Sequence, residues 1–431
     1  MPTNFVLQNV QLSDGRIQDV QIIDDKVAAI GSSISGDIAI DCSGLIALPG
    51  FVDLHTHLRE PGYEQSETVL TGTQSAALGG FTAVHAMANT MPVADTAGVV
   101  EQVASLGKEA GYADVYPIGA VTVGLAGKQL AELGAMANSK AKVKVFSDDG
   151  KCVDDPVIMR RALEYVKAFD GVIAQHAQEP RLTEGAQMHE GEVSAELGLT
   201  GWPSVAEESI IARDVLLAEH VNSRIHICHL STKGSVEIVR WAKARGIKVT
   251  AEVTPHHLLL TDELARSYDS VFKVNPPLRT AEDVAALRDA LIDGTIDIIA
   301  TDHAPHPIEA KDCEWNAAAF GMLGLETAAS IAQEVLIESG KSNWKRLAQV
   351  LSVNPARIAG DVEQGQEIVA GSFANIVLID PTVKRKVGAE SASKSVNSPY
   401  VGLELPGKVV HTIYRGYFTV RDSKLAKQGR G

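Results

Sequence analysis

Eight short apolar runs, separated by helix-like stretches, constrain the fold of this chain more than any other feature of its sequence. The runs are rich in β-branched residues and do not alternate with polar residues, which is typical of strands buried on both faces. Helix-like stretches lie between them, for example at residues 155–169, 207–218 and 235–245. Eight strand–helix units are the number that closes a TIM (β/α)8 barrel, so we expect an α/β protein of that architecture. The runs occupy residues 46–54, 81–87, 115–123, 142–146, 172–175, 224–228, 248–253 and 296–300.

The two ends of the chain differ from this central pattern because they contain short β-prone runs with few helical stretches between them. These runs lie at residues 5–10, 20–23, 27–30, 374–379, 409–414 and 417–420. Glycine, proline and paired aspartates punctuate the runs, as expected for hairpin turns. We therefore expect a small β-rich domain composed of both termini, residues 1–48 and 359–431, and a barrel over residues 49–358.

Charge and cysteine usage narrow the class of protein. The formal net charge is −15, and such an acidic surface repels nucleic acid and anionic membranes. The four cysteines are scattered without a CxxC pair, which favours reduced thiols in a cytoplasmic protein over a disulfide framework. The first residues do not resemble a signal peptide, and no apolar run approaches the about 20 residues of a membrane span.

Histidine and aspartate follow five of the predicted strands at the point where each strand ends. Catalytic residues of a TIM barrel come from these carboxyl ends and from the loops after them. Both residue types are costly to bury unless they are paired or bound to a metal, so packing alone does not explain their positions. The residues concerned are His55, His57, Asp149, His176, His229 and Asp302.

The spacing of these residues predicts a metal centre. His55 and His57 are two residues apart on one strand, so both imidazoles point to the same side and can bind one cation. His176 and His229 come from other strands and can bind a second cation, with Asp149 as a bridge. Nitrogen and carboxylate ligands without thiolate fit Zn²⁺ or a similar divalent ion. Two such ions about 3.5–4 Å apart can share a hydroxide that attacks a carbonyl.

Several longer motifs resemble those of the amidohydrolase superfamily and, within it, the bacterial type I dihydroorotases. The resemblance extends over the whole chain and is strongest between residues 49 and 327. The histidine pair is shared across the superfamily, whereas HLREPG, NPPLR and DHAPH are much more specific. The motifs are PGFVDLHTHLREPG (49–62), AMANT (86–90), FSDDG (146–150), HICHLST (226–232), TAEVTPHH (250–257), NPPLR (275–279) and ATDHAPH (300–306).

This resemblance implies a dihydroorotase, which hydrolyses (S)-dihydroorotate reversibly to N-carbamoyl-L-aspartate in de novo pyrimidine biosynthesis. It implies two Zn²⁺ per subunit: His55, His57 and Asp302 bind one, and His176 and His229 bind the other. Asp149 bridges the metals, a metal-bridging hydroxide attacks the ring carbonyl, and Asp302 shuttles the proton. The residues implied in substrate binding are His57, Arg59, Asn89, Asn275, His306, Phe320 and Gly321.

Two departures from the family pattern leave alternatives open. Ala88 stands where the family often has proline before Asn89, which should alter the stiffness of that loop more than its chemistry. Lys144 falls at about the position where other amidohydrolases carry a carboxylated lysine as the metal bridge. Lys144 and Asp149 are therefore rival bridges, and the FSDDG motif favours Asp149.

The other histidines are expected to have structural roles. His85 is predicted to be a hydrogen-bonded residue of the core, and His226 a hydrogen-bonded neighbour of His229. His189, His220 and His411 are predicted to be surface residues. The pair at 256–257 follows the seventh strand and is expected to hydrogen-bond behind the ligands.

Three other functions remain open from the sequence. The chain can be another cyclic amidohydrolase, such as an allantoinase or a hydantoinase, but Arg59 and Asn89 favour an enzyme whose substrate carries a carboxylate. It can also be a non-catalytic scaffold for aspartate transcarbamoylase, although every expected ligand is present. A homodimer and a complex with that transcarbamoylase are both compatible with the sequence.

Overall fold

The computed structural model describes residues 4–426 and has an α/β fold, as the sequence predicts. Within this range nineteen strands form four sheets. The strands are β1 Asn4–Leu12, β2 Ile17–Ile23, β3 Lys26–Gly31, β4 Ile38–Asp41, β5 Ile46–Pro49, β6 Phe51–Thr56, β7 Phe81–Ala86, β8 Asp114–Pro117, β9 Val145–Phe146, β10 Val172–Gln175, β11 Met188–His189, β12 Gly201–Trp202, β13 Ile225–Ile227, β14 Val249–Val253, β15 Ile298–Ile299, β16 Ile376–Lys386, β17 Glu404–Tyr414, β18 Tyr417–Arg421 and β19 Lys424–Leu425.

Thirteen α-helices accompany the strands within residues 4–426, and most of them lie between strands of the central region. They are α1 Val69–Leu78, α2 Ala97–Ala110, α3 Leu133–Asn138, α4 Pro156–Val166, α5 Glu192–Leu197, α6 Val205–Val221, α7 Lys233–Ala244, α8 Pro255–Leu259, α9 Ala281–Asp293, α10 Ile308–Lys311, α11 Ala328–Gln333, α12 Trp344–Ala348 and α13 Asn354–Ala359. No helix among the described residues is both long enough and apolar enough to cross a membrane.

Local sequence signals explain where several of these helices begin. Helix α4 starts after Asp155, whose carboxylate accepts hydrogen bonds from the amides of Val157 and Ile158. Pro156 occupies the first helical position, where a missing amide hydrogen costs nothing. Thr232 and Thr280 cap α7 and α9 in the same way.

One nine-stranded sheet is built from both ends of the chain. Its order is β19-β18-β17-β16-β5-β1-β2-β3, and β4 pairs with β1. Strand β5 joins the two halves because it is parallel to β1 and antiparallel to β16, with Leu48 opposite Val377. A separate apolar cluster that includes Leu7, Ile22 and Ile376 fills one face of this sheet.

The central strands are parallel and form two sheets. One has the order β6-β7-β8 and the other β15-β14-β13-β10-β9. Single parallel bridges connect the edges of the two sheets at both sides. Gly119 pairs with Phe146 beyond β8, and Thr56 pairs with His303 beyond β15.

The structure corrects the bounds of several predicted strands, and the runs at 142–146 and 296–300 each shorten to two residues. The run at 46–54 is two strands: β5 belongs to the nine-stranded sheet, and β6 begins the parallel strands. Gly50 lies between them. Only glycine fits at this position, because a Cβ atom there would be 2.4 Å from Thr82 Oγ1. The run at 115–123 shortens to Asp114–Pro117, since the chain beyond Pro117 leaves the strand conformation.

Candidate active site

All six predicted metal ligands lie at the carboxyl ends of the central strands and converge on one buried point. His55 belongs to β6 and the other five follow directly after a strand, so the parallel arrangement brings them to the same end of the sheets. All six residues are buried, with no more than 5% of each residue exposed to solvent. They are His55, His57, Asp149, His176, His229 and Asp302.

Two histidines and two aspartates form one half of this cluster. His55 Nε2 is 3.3 Å from Asp149 Oδ1 and 3.4 Å from Asp302 Oδ1. His57 Nε2 is 3.3 Å from Asp149 Oδ2 and 3.0 Å from Asp302 Oδ1. The two imidazoles and the two carboxylates therefore face one another, with nitrogen-to-oxygen distances of 3.0–3.4 Å.

The other half of the cluster contains His176 and His229. Their ring nitrogens, Nδ1 and Nε2 respectively, are 2.9 Å apart. Both also lie close to Asp149 Oδ1, at 3.2 Å and 3.3 Å. Asp149 is thus shared between the halves, the position expected of a bridging carboxylate.

The donor atoms fit divalent cations. His55 Nε2 is buried and has no hydrogen-bond partner, because its contacts with the aspartates lack hydrogen-bond geometry. Candidate ligand sets within 4.8 Å are His55 with His57 and Asp149, and Asp149 with His176 and His229. Buried nitrogen and carboxylate donors that converge in this way are typical of a site for Zn²⁺ or a similar ion.

Hydrogen bonds fix the orientation of three of these imidazoles. His55 Nδ1 donates to Glu252 Oε1 at 2.6 Å, and His57 Nδ1 donates to Asn89 Oδ1 at 3.0 Å. His176 Nε2 donates to Gln178 Oε1 at 2.7 Å. In each case the other ring nitrogen points into the cluster, an arrangement that raises the basicity of metal-binding histidines.

The sequence analysis missed Glu252, which lies in β14 and organises the site from behind. Its second oxygen contacts His226 Nε2 at 3.0 Å, and the amide of His229 donates to Oε1 at 3.1 Å. Glu252 also belongs to a third set of possible ligand atoms, with His55 and Cys228. A carboxylate inside an apolar strand was the available signal, because such a group is costly to bury without partners.

The protein itself creates a strong electrostatic coupling at the cluster. Burial raises the pKa of Asp302, but His55 and His57 more than offset it and lower the pKa to about 2. Burial likewise opposes ionisation of Asp149, and the three surrounding histidines hold its pKa well below the usual value. Both carboxylates are therefore ionised at neutral pH, the form that binds cations.

Lys144 lies apart from this cluster. Its Nζ donates to the carbonyl oxygen of Phe169 at 2.6 Å, at the end of the helical turn that follows α4. Lys144 and Phe169 precede β9 and β10, so the amine is held near the amino ends of these strands, away from the cluster at their carboxyl ends. The geometry therefore favours Asp149 over Lys144 as the shared ligand.

Two predicted substrate residues, Arg59 and His306, lie beside the cluster. Arg59 Nε donates to the carbonyl of Pro305 at 3.1 Å, and Nη2 is 3.4 Å from His306 Nε2. His306 Nε2 donates to the carbonyl of Phe320 at 2.8 Å. Burial and the charge of Arg59 lower the pKa of His306 to about 3, so this imidazole is neutral.

The other predicted substrate residues complete the surroundings. Gly321 follows Phe320 with φ +145°, and a Cβ atom there would be 2.8 Å from His306 Nε2. Asn275 Nδ2 donates to Gln178 Oε1, whereas its Oδ1 is buried without a partner. Asn89 is linked to the cluster through His57.

The remaining histidines correct part of the sequence analysis. His85 and His226 are buried and hydrogen-bonded, as predicted. The expectation that His189 and His411 lie at the surface was wrong, since both are buried and His189 Nδ1 contacts Arg279 at 3.0 Å. His256 is buried near the cluster, and neither of its ring nitrogens has a hydrogen-bond partner.

Comparisons with known proteins agree with this architecture. A family described as Dihydro-orotase-like matches residues 44–235. The chain is 64% identical to a dihydroorotase of Leifsonia xyli subsp. xyli, over 99% of this chain and 98% of the relative. It is 66% identical to a dihydroorotase of Streptomyces coelicolor, over 97% and 99% respectively.

Solved structures of related enzymes share the fold. An L-hydantoinase from Arthrobacter aurescens superimposes with a TM-score of 0.88 at 25% identity, over 99% of this chain and 98% of that one. A dihydropyrimidinase from Brevibacillus agri gives 0.84 at 24% identity, over 98% and 96%. The fold and the buried cluster define the chain as a cyclic amidohydrolase. The full-length identity goes further, and the chain belongs to the dihydroorotase family.

Proposed function

We propose that this protein is a dihydroorotase, which hydrolyses (S)-dihydroorotate reversibly to N-carbamoyl-L-aspartate in de novo pyrimidine biosynthesis. The observation that carries the proposal is the 64–66% identity to dihydroorotases over nearly the whole chain. The cluster of histidines and aspartates supplies a site at which a ring amide can be opened.

We infer that the eight central strands, β6 to β10 and β13 to β15, close into a (β/α)8 barrel, while the two-residue strands β11 and β12 lie outside it. The two bridges between the parallel sheets support closure at both edges. Side chains of different strands also pack in one inner cluster, among them Leu54, Val145, Val172 and Ile298. A closed barrel explains why ligands distant in sequence converge.

Two Zn²⁺ ions are the cofactors that best fit the donor set. His55, His57 and Asp302 would hold one ion, His176 and His229 the other, and Asp149 both. When bound, the ions would polarise the scissile carbonyl and make water nucleophilic at neutral pH.

Asp302 is the group that moves the proton. Its low pKa keeps it ionised, and Oδ1 lies 3.0 Å from His57 Nε2. It accepts the proton of the attacking water and passes it to the ring nitrogen as the C–N bond breaks. In ring closure, the same carboxylate takes the proton from the ureido nitrogen.

Substrate recognition depends on Arg59, whose planar guanidinium can pair with the exocyclic carboxylate of dihydroorotate. The unpartnered Oδ1 of Asn275 can accept a ring N–H. Asn89 and the neutral His306 contribute polar atoms, and the loop at 320–321 covers the ring.

The proposed assemblies are a homodimer and a complex with aspartate transcarbamoylase. Light scattering of the protein alone would detect the homodimer, and light scattering of a mixture with that enzyme would detect the complex.

The test is a rate measurement on the purified full-length protein. We expect ring closure of carbamoyl-aspartate and ring opening of dihydroorotate, both lost with a chelator and regained with Zn²⁺. Hydantoin, dihydrouracil and allantoin, which lack the carboxylate, should react at least about 100-fold more slowly. If any of these three rings were opened faster than dihydroorotate, the protein would be a different cyclic amidohydrolase. A purified protein that contains no metal and shows no turnover would indicate a non-catalytic scaffold for aspartate transcarbamoylase.

A further inference from the structure

A connection from the nine-stranded sheet reaches the proposed substrate site. It comprises residues 387–403 between β16 and β17, and here we call it the crossing segment. Ser395 Oγ donates to the carbonyl of Ser66 at 2.7 Å, which fixes the segment to the loop after β6. Two residues further on, Asn397 is buried beside the loops that carry His306 and Gly321.

Asn397 uses its whole amide group to join those loops. Its Nδ2 donates to the carbonyl oxygens of Ala304 at 3.0 Å and Gly321 at 3.1 Å. Its Oδ1 accepts from the amide of His306 at 3.2 Å. Asn397 therefore holds the backbone on both sides of Pro305, whose carbonyl is the acceptor for Arg59 Nε.

Lys311 also contacts the loop that carries Gly321, at residues 319–321. Its buried Nζ donates to the carbonyls of Ala319 at 2.8 Å, Gly321 at 3.1 Å and Lys273 at 3.2 Å. No carboxylate contacts this ammonium among the described residues. A buried charge that binds only backbone carbonyls is costly to maintain, and its evident effect is to fix the 319–321 backbone.

We propose that Asn397 and Lys311 are positioning residues for substrate binding. Together they set the spacing between the 304–306 backbone, which orients Arg59 and His306, and the 320–321 backbone, which covers the ring. The inference deepens the proposed function and rests on it. Residues 359–431 would thus contribute to the substrate site, a role that the sequence analysis did not assign to them.

The kinetic test compares wild type, Asn397→Ala and Lys311→Met with the control Ser391→Ala. The control removes a hydrogen bond of the same segment, from Ser391 Oγ to Glu326 Oε1 at 2.7 Å, that does not reach either loop. We expect KM for dihydroorotate to rise about tenfold or more in the two test variants, the loss typical of one buried hydrogen bond to a charged or paired group. Their kcat and metal content should stay within about threefold of wild type, because neither residue contacts the cluster.

A KM in both test variants no higher than that of Ser391→Ala would overturn the inference. So would a fall in kcat together with metal loss, since that would indicate general structural damage. Hydrogen–deuterium exchange gives a readout without turnover: in Asn397→Ala, amides of residues 304, 306 and 320–323 should exchange faster than in the control. A wild-type protein without activity would refute the proposed function. Unchanged exchange in Asn397→Ala would refute the positioning role itself.

Discussion

Glu252 shows how a single residue can organise a metal site without being recognised from the sequence. Its carboxylate forms hydrogen bonds with the rings of His55 and His226 and accepts another from the backbone amide of His229. The ligands themselves were predictable because histidine and aspartate are unusual at the ends of apolar strands. Glu252 and Asn397 were not, because their importance depends on which backbone and ring atoms the fold brings to them.

Replacing Glu252 should weaken metal binding. In Glu252→Gln the imidazole of His55 loses a charged acceptor, so we expect metal affinity to fall about 10- to 100-fold. Metal titration followed by mass spectrometry measures this. The control is Asp361→Asn, which removes the carboxylate that contacts His85 Nε2 at 2.8 Å away from the cluster. Equal metal affinity in both variants would contradict the orienting role of Glu252.

Replacing Asp302 should separate catalysis from metal binding. We expect Asp302→Ala to lower kcat by about 10²- to 10⁴-fold, the range for loss of a general acid–base group. The remaining five ligands should retain most of the metal. Steady-state rates and metal content on one preparation test this, and a wild-type rate in the variant would exclude a proton shuttle at this position.

Lys311 should make substrate binding depend on pH. Burial and the neighbouring charge of Lys273 lower the pKa of Lys311 to about 7, against smaller opposing effects of Asp269 and Cys313. The protonated amine has three donors for three carbonyls, and the neutral amine has two. His306, which also faces this group, is already neutral at these pH values because its pKa is about 3.

KM for dihydroorotate should therefore rise as the pH increases through about 7 and the ammonium loses its proton. Measurements of KM from pH 6 to 9 test this in wild type and in Lys311→Met. The variant lacks this titrating group, so its KM should be high and nearly independent of pH up to about 8, the value to which burial lowers the pKa of Lys273. A parallel rise in both proteins would assign the effect to another group.

At the scale of elements, the apolar runs located the central strands but not all of their ends. The run at 46–54 contains no signal for the change of sheet except Gly50, which the close approach of Thr82 requires. Two-residue strands such as Met188–His189 are too short for any periodicity. Asp302 and His229 also have positive φ values, 47° and 31°, which a sequence without neighbours in space does not predict.

Two glycines of helix α2 should respond oppositely to alanine. A Cβ atom at Gly107 would lie 2.4 Å from Val115 Cβ, so Gly107→Ala should reduce the free energy of unfolding by about 1–3 kcal/mol. Gly98 has no atom within 4 Å of such a Cβ, and Gly98→Ala should increase stability by up to about 1 kcal/mol. Urea denaturation of both variants tests this, and equal stabilities would show that α2 does not pack closely on β8.

At the scale of the whole molecule, the nine-stranded sheet made from both ends of the chain is connected to the parallel strands near the site as well as along the chain. Strand β5 leads through Gly50 directly into β6, and the crossing segment reaches the loops around His306. The β-rich ends were visible in the sequence because their turns and short runs are local features. Their contribution to the site was not visible, since it depends on contacts between residues 76 and 93 positions apart.

The central claim is that five strand ends bring six ligands around a pair of cations. Anomalous diffraction at the zinc edge, from crystals of the protein purified with Zn²⁺, tests it most directly. We predict two peaks about 3.5–4 Å apart, one beside His55, His57 and Asp302 and the other beside His176 and His229, with Asp149 between them. A carbamate on Lys144 bound to the metals, or no peak among these residues, would contradict the account.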